Sequence, residues 1–442
     1  MRMLDNSSLD RIAIESRIPQ LAKKLSNKTL AQLEKEGIFV FPEGVQDSED
    51  LTSDQMVLQR VNDAYHTGNI MGFLGCGKER LVISSRFSRD GHDFFLQYML
   101  DKVQACPNVF DLETNANEAN QLINVLIFLF PSYLKAAMRK GLFKNYIQTK
   151  HNTPNPKGRI NIAQHIRENT PFVGNIAYDQ REQSFDNHIS QLIRHTIEYI
   201  KTKQSGKLIL ARAKEEVDRI VESTPRYKLQ DRQKVMKENK KHIVRHAYFR
   251  EYRVLQRLCV LILQHQKQEL SSGITQVYGV LFDGAWLWEE YVNCLVSDLF
   301  HHPMNKAGKG VQWLFTEEKH VAGKIYPDFI GKNNHKDLIA DAKYKPLTNI
   351  QGRDYLQVLA YMFRFDAKKG LYFYPETDES TDLQLWLNQG STFARGGVSK
   401  RNDICLIKHG LKIPQTAENY SDFRKQMIRA EEDFTYRLLA LV

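Results

Sequence analysis

The chain has 442 residues, of which 42% are hydrophobic and 26% are charged, and its net charge is +10. This is the composition of a globular protein with room for two or three domains. Met1–Arg11 lacks the apolar core of a signal peptide, and the longest apolar run, Leu122–Phe130, is far shorter than the roughly 20 residues that span a bilayer. We therefore expect a cytoplasmic protein that does not bind membranes. The five cysteines are scattered without a C-x-x-C pair, which argues against a zinc ribbon and a disulfide framework.

Residues 1–158 are predicted to form an N-terminal α+β region. Its helices are predicted at Leu4–Glu36, Asp93–Val103 and Glu118–Lys140. Pro131 is expected to interrupt the last of these helices. Apolar clusters separated by glycines predict β-structure over Gly68–Ser85. His151–Gly158, which contains two prolines, is a turn-rich junction at the end of the region.

One stretch of this region imitates a nucleotide-binding motif. Gly72–Lys78 fits the pattern G-x-x-x-x-G-K, in which backbone amides cradle phosphates. A true cradle continues with Ser or Thr and opens a helix, whereas here Glu79 follows and Arg80–Ser85 has the pattern of a strand. The stretch is therefore predicted to be a glycine-rich hairpin, and the chain is not expected to hydrolyse nucleotides itself.

Residues 159–270 are predicted to form a basic, helical middle region. Between Lys201 and Leu258 there are 17 Lys and Arg against 7 Asp and Glu, so this segment accounts for the whole net charge. Long polyanions such as DNA are natural partners for a segment of this kind. The alternative is an ordinary solvated helix surface, because basic and acidic residues alternate across Arg212–Glu222.

The third predicted domain, residues 271–442, contains the most informative pattern. Two strand-like runs, Lys324–Ile330 and Asp337–Tyr344, carry Asp328, Asp341 and Lys343 in the order PD…D-x-K. Asp341 and Lys343 are two residues apart, so their side chains leave one face of a strand. Two carboxylates that share a divalent cation beside an ammonium group can cut a phosphodiester with metal-activated water. The alternative is a surface hairpin with ordinary charges.

Helices are predicted on both sides of this pattern. In Ala285–Phe300, Glu289 falls beside the apolar arc that faces the sheet, so it is either a third metal ligand or a partly exposed border residue. In Asp354–Phe365, Gln357 and Tyr361 are four residues apart and share a face. This pair could orient a DNA phosphate or Lys343, or could simply be a hydrogen-bonded pair at the helix border.

Other chemistry-bearing residues form no competing site in the sequence. The nearby histidines are His301, His302, His320 and His335. Their spacing matches neither a metal cage nor an H-x-x-x-H helix. No G-x-S-x-G nucleophile motif occurs.

The pattern resembles that of a known nuclease superfamily. Its residues, in order, are Glu289, Pro327, Asp328, Asp341, Ala342, Lys343, Gln357 and Tyr361. They resemble the PD-(D/E)xK nucleases and, more narrowly, the McrC family, the nuclease subunits of McrBC-type restriction systems including the LlaJI-like branch. The narrower likeness rests on DAKYK at 341–345 and DYLQVLAYM at 354–362, and extends to HIREN, DQREQSFDNHISQLIRHTI and FFLQYMLDKV upstream. Trp288 stands where the family pattern has Phe, a conservative departure.

The resemblance implies a fold and a set of roles. The fold class is α/β (mixed α+β), with a C-terminal restriction-endonuclease-like core of order α-β-β-β-α-β behind an N-terminal partner-docking region and the helical middle. Glu289, Asp328, Asp341 and the Ala342 carbonyl would bind Mg²⁺, with Mn²⁺ as a substitute. Lys343 would activate water and stabilise charge on the phosphate, supported by Gln357 and Tyr361.

The implied activity is Mg²⁺-dependent cleavage of double-stranded DNA within an antiviral restriction system. The family also implies that the N-terminal half docks on a GTP-hydrolysing, McrB-like AAA+ hexamer and stimulates it, and that this partner recognises the DNA. Two other hypotheses stay open. The chain could be a standalone nuclease of DNA repair or mobile elements, or a catalytically inactive DNA-binding adaptor subunit.

Overall fold

The computed structural model describes residues 1–36, 38–41, 55–88, 93–103, 118–203, 206–268, 277–303, 310–318, 320–332, 335–378, 382–390 and 397–441. Its contacts divide the chain into two compact units, Met1–Leu122 together with Gly273–Val442, and Ile123–Ser272. The chain is thus grouped differently from the three predicted segments. The predicted boundary after residue 158 lies inside the second unit, and the boundary after residue 270 lies outside the described residues.

The N-terminal part of the first unit consists of short elements. They are β1 (Arg2–Leu4), β2 (Ser8–Asp10), α1 (Arg11–Arg17), α2 (Pro19–Leu25), α3 (Leu30–Glu36), β3 (Phe39–Phe41), β4 (Gln59–Val61), β5 (Ala64–His66), β6 (Ile70–Cys76), β7 (Glu79–Ser84) and α4 (Phe94–Val103). The helical prediction was right over α1, α2 and α3, the first of which begins where the Asp10 side chain accepts a hydrogen bond from Ile12 N. It was wrong at residues 26–29, where the chain forms bridges to Leu58 and Met56. It was also wrong before Arg11, because β1 pairs with β7 and β2 pairs with β5.

The imitation of a nucleotide cradle is a β-hairpin, as predicted. β6 and β7 pair antiparallel from Gly72 opposite Ile83 to Cys76 opposite Glu79. Gly77, in the turn, has a φ of 57°, a conformation that glycine adopts without a steric penalty. The carboxylate of Glu79 accepts hydrogen bonds from the backbone amides of Gln20 and Leu21 at the start of α2.

The following residues form a small sheet and a set of helices. They are α5 (Glu118–Met138), β8 (Asn145–Thr153), β9 (Arg159–Ile160), α6 (Ile162–Glu168), β10 (Ile176–Ser184), α7 (His188–Lys201), α8 (Gly206–Ala211), α9 (Lys214–Ser223), α10 (Arg232–Lys241) and α11 (Arg250–Gln268). The middle is helical from His188 onward, but β8, β10 and β9 form a three-stranded sheet before it. β8 and β10 pair across the predicted boundary at 158.

Pro131 lies inside α5 and does not interrupt it, contrary to the prediction. Proline removes one hydrogen bond of the helix and crowds the preceding turn. Phe128, Phe130 and Leu134 around it are completely buried. Burial of this apolar face offsets the local cost, so the helix continues to Met138.

The C-terminal residues complete the first unit. They form β11 (Tyr278–Asp283), α12 (Gly284–Val296), β12 (Phe300–His301), β13 (Gln312–Glu317), β14 (His320–Ile325), β15 (Phe329–Gly331), β16 (Leu338–Ala342), α13 (Arg353–Phe365), β17 (Lys369–Glu376), β18 (Leu383–Gln389), β19 (Ser399–Lys412) and α14 (Tyr420–Leu441). The predicted strand Lys324–Ile330 is divided between β14 and β15, since Pro327 lies between them and proline cannot donate to a strand ladder.

Two sheets organise the first unit. One has the order β1-β7-β6-β11-β3, with the fully buried β11 between β6 and β3. The other has the order β12-β15-β16-β17-β19-β18, in which β16, β17 and β19 are parallel. The mixed α+β class predicted from the sequence is confirmed. No helix within the described ranges combines the length and apolar character needed to cross a membrane.

Candidate active site

Adjacent strands bring Asp328 and Asp341 together. β15 and β16 pair antiparallel with Phe329 opposite Ala340, so Asp328, just before β15, faces Asp341. Oδ2 of Asp328 accepts a hydrogen bond from Ala342 N at 2.8 Å. The two aspartates are only 8% and 1% exposed. Burying two carboxylates so close together is costly unless cations neutralise them.

Lys343 supplies one such cation. Its Nζ lies 2.6 Å from Oδ2 of Asp341 and donates a hydrogen bond to Oε1 of Gln357 at 3.0 Å. Burial raises the pKa of Asp341, and the charge of Lys343 opposes that rise. Burial alone would lower the pKa of Lys343, but the charges of Asp341 and Asp328 outweigh it, so its pKa is raised. Lys343 is therefore held as an ammonium group against the carboxylates.

The polar pair on α13 continues from Lys343. Nε2 of Gln357 donates to Oη of Tyr361 at 2.6 Å, and the Tyr361 hydroxyl donates to the carbonyl oxygen of Tyr326 at 3.1 Å. The helix thus joins Lys343 to the loop just before Asp328. The contact that spacing suggested between this pair and the lysine is present.

Glu289 reaches the site through a residue that sequence reasoning set aside. Its Oε1 lies 3.6 Å from Nε2 of His302, whose Nδ1 lies 2.8 Å from the carbonyl oxygen of Asp328. Burial lowers the pKa of His302, but Glu290 and the Asp328 carbonyl outweigh this effect and raise it. His302 is placed by the antiparallel pairing of β12, which ends at His301, with β15, so no pattern in the sequence could have identified it.

The donor set fits a hard divalent cation in its chemistry. Oδ2 of Asp341 is buried and, apart from the ammonium group of Lys343, has no hydrogen-bond partner in the described part of the chain. Carboxylate and carbonyl oxygens are the ligands that Mg²⁺ prefers. As arranged, however, the described residues contain no group of three His, Cys, Asp or Glu side chains that could hold a metal ion. Glu289 meets His302 rather than completing such a group with the aspartates.

A further acidic residue that spacing could have revealed lies at the same place. Oδ2 of Asp354 is 2.6 Å from Nζ of Lys345, and its Oδ1 is 3.9 Å from Nζ of Lys343. Asp354 precedes Gln357 by three residues, so both share the helix face that Tyr361 continues. The spacing was visible in the sequence, but only Gln357 and Tyr361 were identified from it.

The fold and this geometry define a mixed α+β protein in which two buried carboxylates and a lysine meet where two adjoining strands begin and end. A family model described as McrBC 5-methylcytosine restriction system component matches residues 65–375. The chain belongs to this family, which confirms at that level the resemblance noted in the sequence.

Solved structures similar to the chain include two McrBC assemblies. One is a refined half-complex from a tetradecameric assembly of Thermococcus gammatolerans McrB AAA+ hexamers with bound McrC, with 14% identity, a TM-score of 0.46 and coverage of 97% of this chain and 99% of the other. The second is the cryo-EM structure of the Thermococcus gammatolerans McrBC complex, with 15% identity, a TM-score of 0.30 and coverage of 67% and 87%. Comparison with curated proteins found no match.

Proposed function

We propose that the chain is the Mg²⁺-dependent DNA endonuclease subunit of an McrBC-type restriction system, and that it works in the cytoplasm. The observation that carries this proposal is the buried pair of Asp328 and Asp341 with the ammonium group of Lys343 against it. Membership in a restriction-system family supports the same conclusion. In this proposal the chain cleaves double-stranded DNA when it is assembled with a GTP-hydrolysing, McrB-like AAA+ hexamer that it stimulates.

Each site residue has a role in the proposed reaction. Asp328, Asp341 and the Ala342 carbonyl would hold Mg²⁺, or Mn²⁺ in its place, and Glu289 would join them by exchanging its contact with His302 for the cation. The bound cation supplies Lewis acidity at the phosphate and lowers the pKa of a water molecule. Lys343 keeps its positive charge because carboxylates surround it, so it can stabilise the negative charge that grows on the phosphate.

Residues on α13 hold the lysine in position. Gln357 accepts from Nζ of Lys343, and Tyr361 fixes Gln357 by accepting from its amide. This arrangement restricts the lysine to one direction before DNA binds, which removes a cost of ordering it during the reaction.

Other segments have proposed roles in assembly. The basic stretch from Lys201 to Leu258 would contact the DNA backbone. Residues 1–158 would dock on the AAA+ partner. The stretch Gly72–Lys78 forms a hairpin, which supports assigning GTP hydrolysis to the partner.

The test is cleavage of methylated and unmethylated plasmid in Mg²⁺ by wild type and Lys343→Ala. Each protein is assayed with and without the AAA+ protein encoded beside it and GTP. We expect cutting by wild type only with the partner and GTP, and a loss of about 100-fold or more in Lys343→Ala, because a preorganised charge at the phosphate is removed. Lys368→Ala is the matched control, since Lys368 pairs with Asp366 on an exposed surface.

The other outcomes identify the competing hypotheses. Cleavage by the chain alone would establish a standalone nuclease. Equal cleavage by wild type and Lys343→Ala, above a control without protein, would show that the Asp328–Lys343 site is misassigned. DNA binding without cleavage under every condition would favour the inactive adaptor.

A further inference from the structure

Tyr344, the residue after Lys343, is held by groups from the N-terminal part of the chain. It lies at the centre of a tight turn, in which Lys345 N donates to the carbonyl oxygen of Lys343 at 2.8 Å. Its hydroxyl group is 2.6 Å from Oγ of Ser85, and its ring meets the ring of Phe87 edge-on, with 5.1 Å between the centroids. Tyr344 is only 4% exposed, so its side chain has one well-defined position.

Arg86 connects this tyrosine to the N-terminal sheet. Its guanidinium lies 4.9 Å from the centre of the Tyr344 ring, and Nη2 donates to the Tyr344 carbonyl oxygen at 3.1 Å. The same nitrogen donates to Oδ1 of Asn69 at 2.6 Å and lies 3.2 Å from Oδ2 of Asp5. Asn69 lies just before β6 and Asp5 just after β1, so Arg86 is anchored on two sides.

Asp5 makes this anchor difficult to remove. The residue is completely buried, and its Oδ1 accepts from the backbone amide of Arg86 at 2.6 Å. Burial raises the pKa of Asp5 to about 6, and the charge of Arg86 opposes the rise. Without a cation at position 86 this carboxylate would be buried and uncompensated, which is strongly unfavourable.

The first residue of α12 encloses Tyr344 from another direction. A Cβ atom at Gly284 would lie 2.7 Å from Cε1 of the Tyr344 ring, so only glycine leaves room for the ring there. Gly284 N also donates to the carbonyl oxygen of Asn69 at 2.8 Å. On the other side of the turn, Lys343 N donates to the carbonyl oxygen of Phe373 at 2.8 Å. The backbone at Lys343 and Tyr344 is thus fixed from the sheet and from the N-terminal segments.

We propose that Arg86 and Tyr344 form a clamp that sets the backbone, and therefore the side-chain direction, of Lys343 at the active site. Both are positioning residues, since neither contacts the reacting atoms, and the inference rests on the nuclease function proposed above. The clamp ties the lysine to Asp5 and Asn69, whose segments are far from it in the sequence. If Lys343 pointed in another direction, the protein would still bind DNA normally but would cleave it slowly.

The chain contains a matched control for this clamp. Arg80, on β7, lies over the ring of Tyr278 at 5.4 Å, in the same kind of contact as that of Arg86 with Tyr344. Arg86→Lys keeps a positive charge for Asp5 but loses the planar fork that reaches Tyr344 and Asn69. Arg80→Lys makes the identical change away from Lys343. Tyr344→Phe and Tyr278→Phe form a second pair that keeps the ring and removes one hydroxyl group.

The experiment measures kcat and KM for plasmid cleavage with the partner, GTP and Mg²⁺, and amide hydrogen exchange of residues 338–345 in the chain alone. We expect Arg86→Lys and Tyr344→Phe to lower kcat about tenfold with KM within about twofold, the sign of an interaction used in the reaction rather than in binding. Both should speed exchange at 338–345. Arg80→Lys and Tyr278→Phe should change neither quantity.

Two outcomes would overturn the clamp, and both can be separated from failure of the proposed function. If wild type cleaves and the two clamp variants match their controls in kcat and exchange, the clamp is wrong and the proposed nuclease function is retained. If wild type does not cleave under any condition, the proposed function fails and the exchange data alone decide the clamp. In that case unchanged exchange in both clamp variants would overturn it.

Discussion

At the scale of single residues, the hydroxyl group of Tyr361 links the helix after the D-x-K strand to the loop before Asp328. It accepts from Gln357 and donates to the Tyr326 carbonyl. Tyr361→Phe keeps the packing of the ring but breaks both hydrogen bonds, so Gln357 no longer has a fixed position beside Lys343. We expect a kcat about tenfold lower with little change in KM, because transition-state positioning is lost.

Steady-state cleavage kinetics with the AAA+ partner and GTP check this prediction. Tyr355→Phe is the control, since Tyr355 is on the same helix and packs against Tyr372. An equal loss of kcat in both variants would mean that the effect comes from the helix as a whole and not from the hydrogen-bonded chain.

The buried imidazole of His195 determines part of the pH dependence of the free energy of unfolding. The residue is completely buried, and its two ring nitrogens have no hydrogen-bond partner in the described portion of the chain. Burial, together with the charge of Arg232, lowers its pKa from 6.5 to about 4. Between pH 6.5 and about pH 4 the unfolded chain binds a proton at this histidine that the folded chain does not. The folded chain therefore loses stability as the pH falls from 6.5 toward 4.

The measurement is the urea midpoint at pH 7.5 and pH 5.5. We expect His195→Phe to reduce the difference between the two midpoints, because phenylalanine cannot bind the proton and still packs against the ring of Tyr227. His320→Phe, at an exposed strand position, should keep the full difference. The same pH dependence in wild type and His195→Phe would contradict the assignment to His195.

Local spacing predicted part of the candidate site, and tertiary packing determined the rest. Asp341 and Lys343 could be paired from the sequence because a strand puts residues two apart on one face. Asp354 was missed, although its spacing from Gln357 was visible. His302 could not be found, because its contact with Asp328 spans 26 residues and exists only once β12 pairs with β15.

At the scale of elements, α12 depends for a stable start on Asp283, the residue just before it. Oδ1 of Asp283 accepts from the backbone amides of Ala285 and Trp286 at 2.8 and 3.0 Å. Burial raises the pKa of Asp283 to about 6, and these two hydrogen bonds oppose the rise. Asp283→Ala should lower the free energy of unfolding by about 1 kcal/mol, the usual value of an N-cap.

Asp283→Asn separates the cap from its charge. The amide oxygen of asparagine can accept the same hydrogen bonds without the cost of a buried charge, so we expect stability close to wild type. Urea unfolding at pH 7 checks both variants. If Asn destabilises as much as Ala, the negative charge at the helix N-terminus matters more than the acceptor.

The predicted helices and strands were correct where residues close in the sequence determine them. The hairpin of β6 and β7 followed from apolar clusters separated by glycines, and both strands are neighbours in the sequence. β1 was missed because three residues acquire a strand conformation only by pairing with β7, 80 residues later. Proline breaks an isolated helix, but α5 continues through Pro131 because it buries its apolar face.

At the scale of the whole molecule, the two compact units differ in how their chain is arranged. The unit Ile123–Ser272 is continuous, whereas the other is assembled from Met1–Leu122 and Gly273–Val442. We expect an isolated fragment 118–272 to unfold cooperatively. Fragment 1–122 should not, because it lacks β11, the buried strand between β6 and β3.

Circular dichroism during heating distinguishes the two fragments. The control joins 1–122 to 273–442 through a flexible linker, which restores β11 and should restore a cooperative transition. A sharp transition in 1–122 alone would show that its helices and hairpin are stable without the missing strand.

The position of β11 also sets an order of events on the ribosome. About 190 residues separate the end of β7 from the start of β11. At about 5–20 residues per second the edge of β6 waits roughly 10–40 s for its neighbour. Unpaired edges of apolar strands attract other chains. The nascent chain is thus most exposed to aggregation before Asp328, Asp341 and Lys343 have been synthesised. The sheet that anchors Arg86 can also close before Lys343, which Arg86 helps to position, has been made.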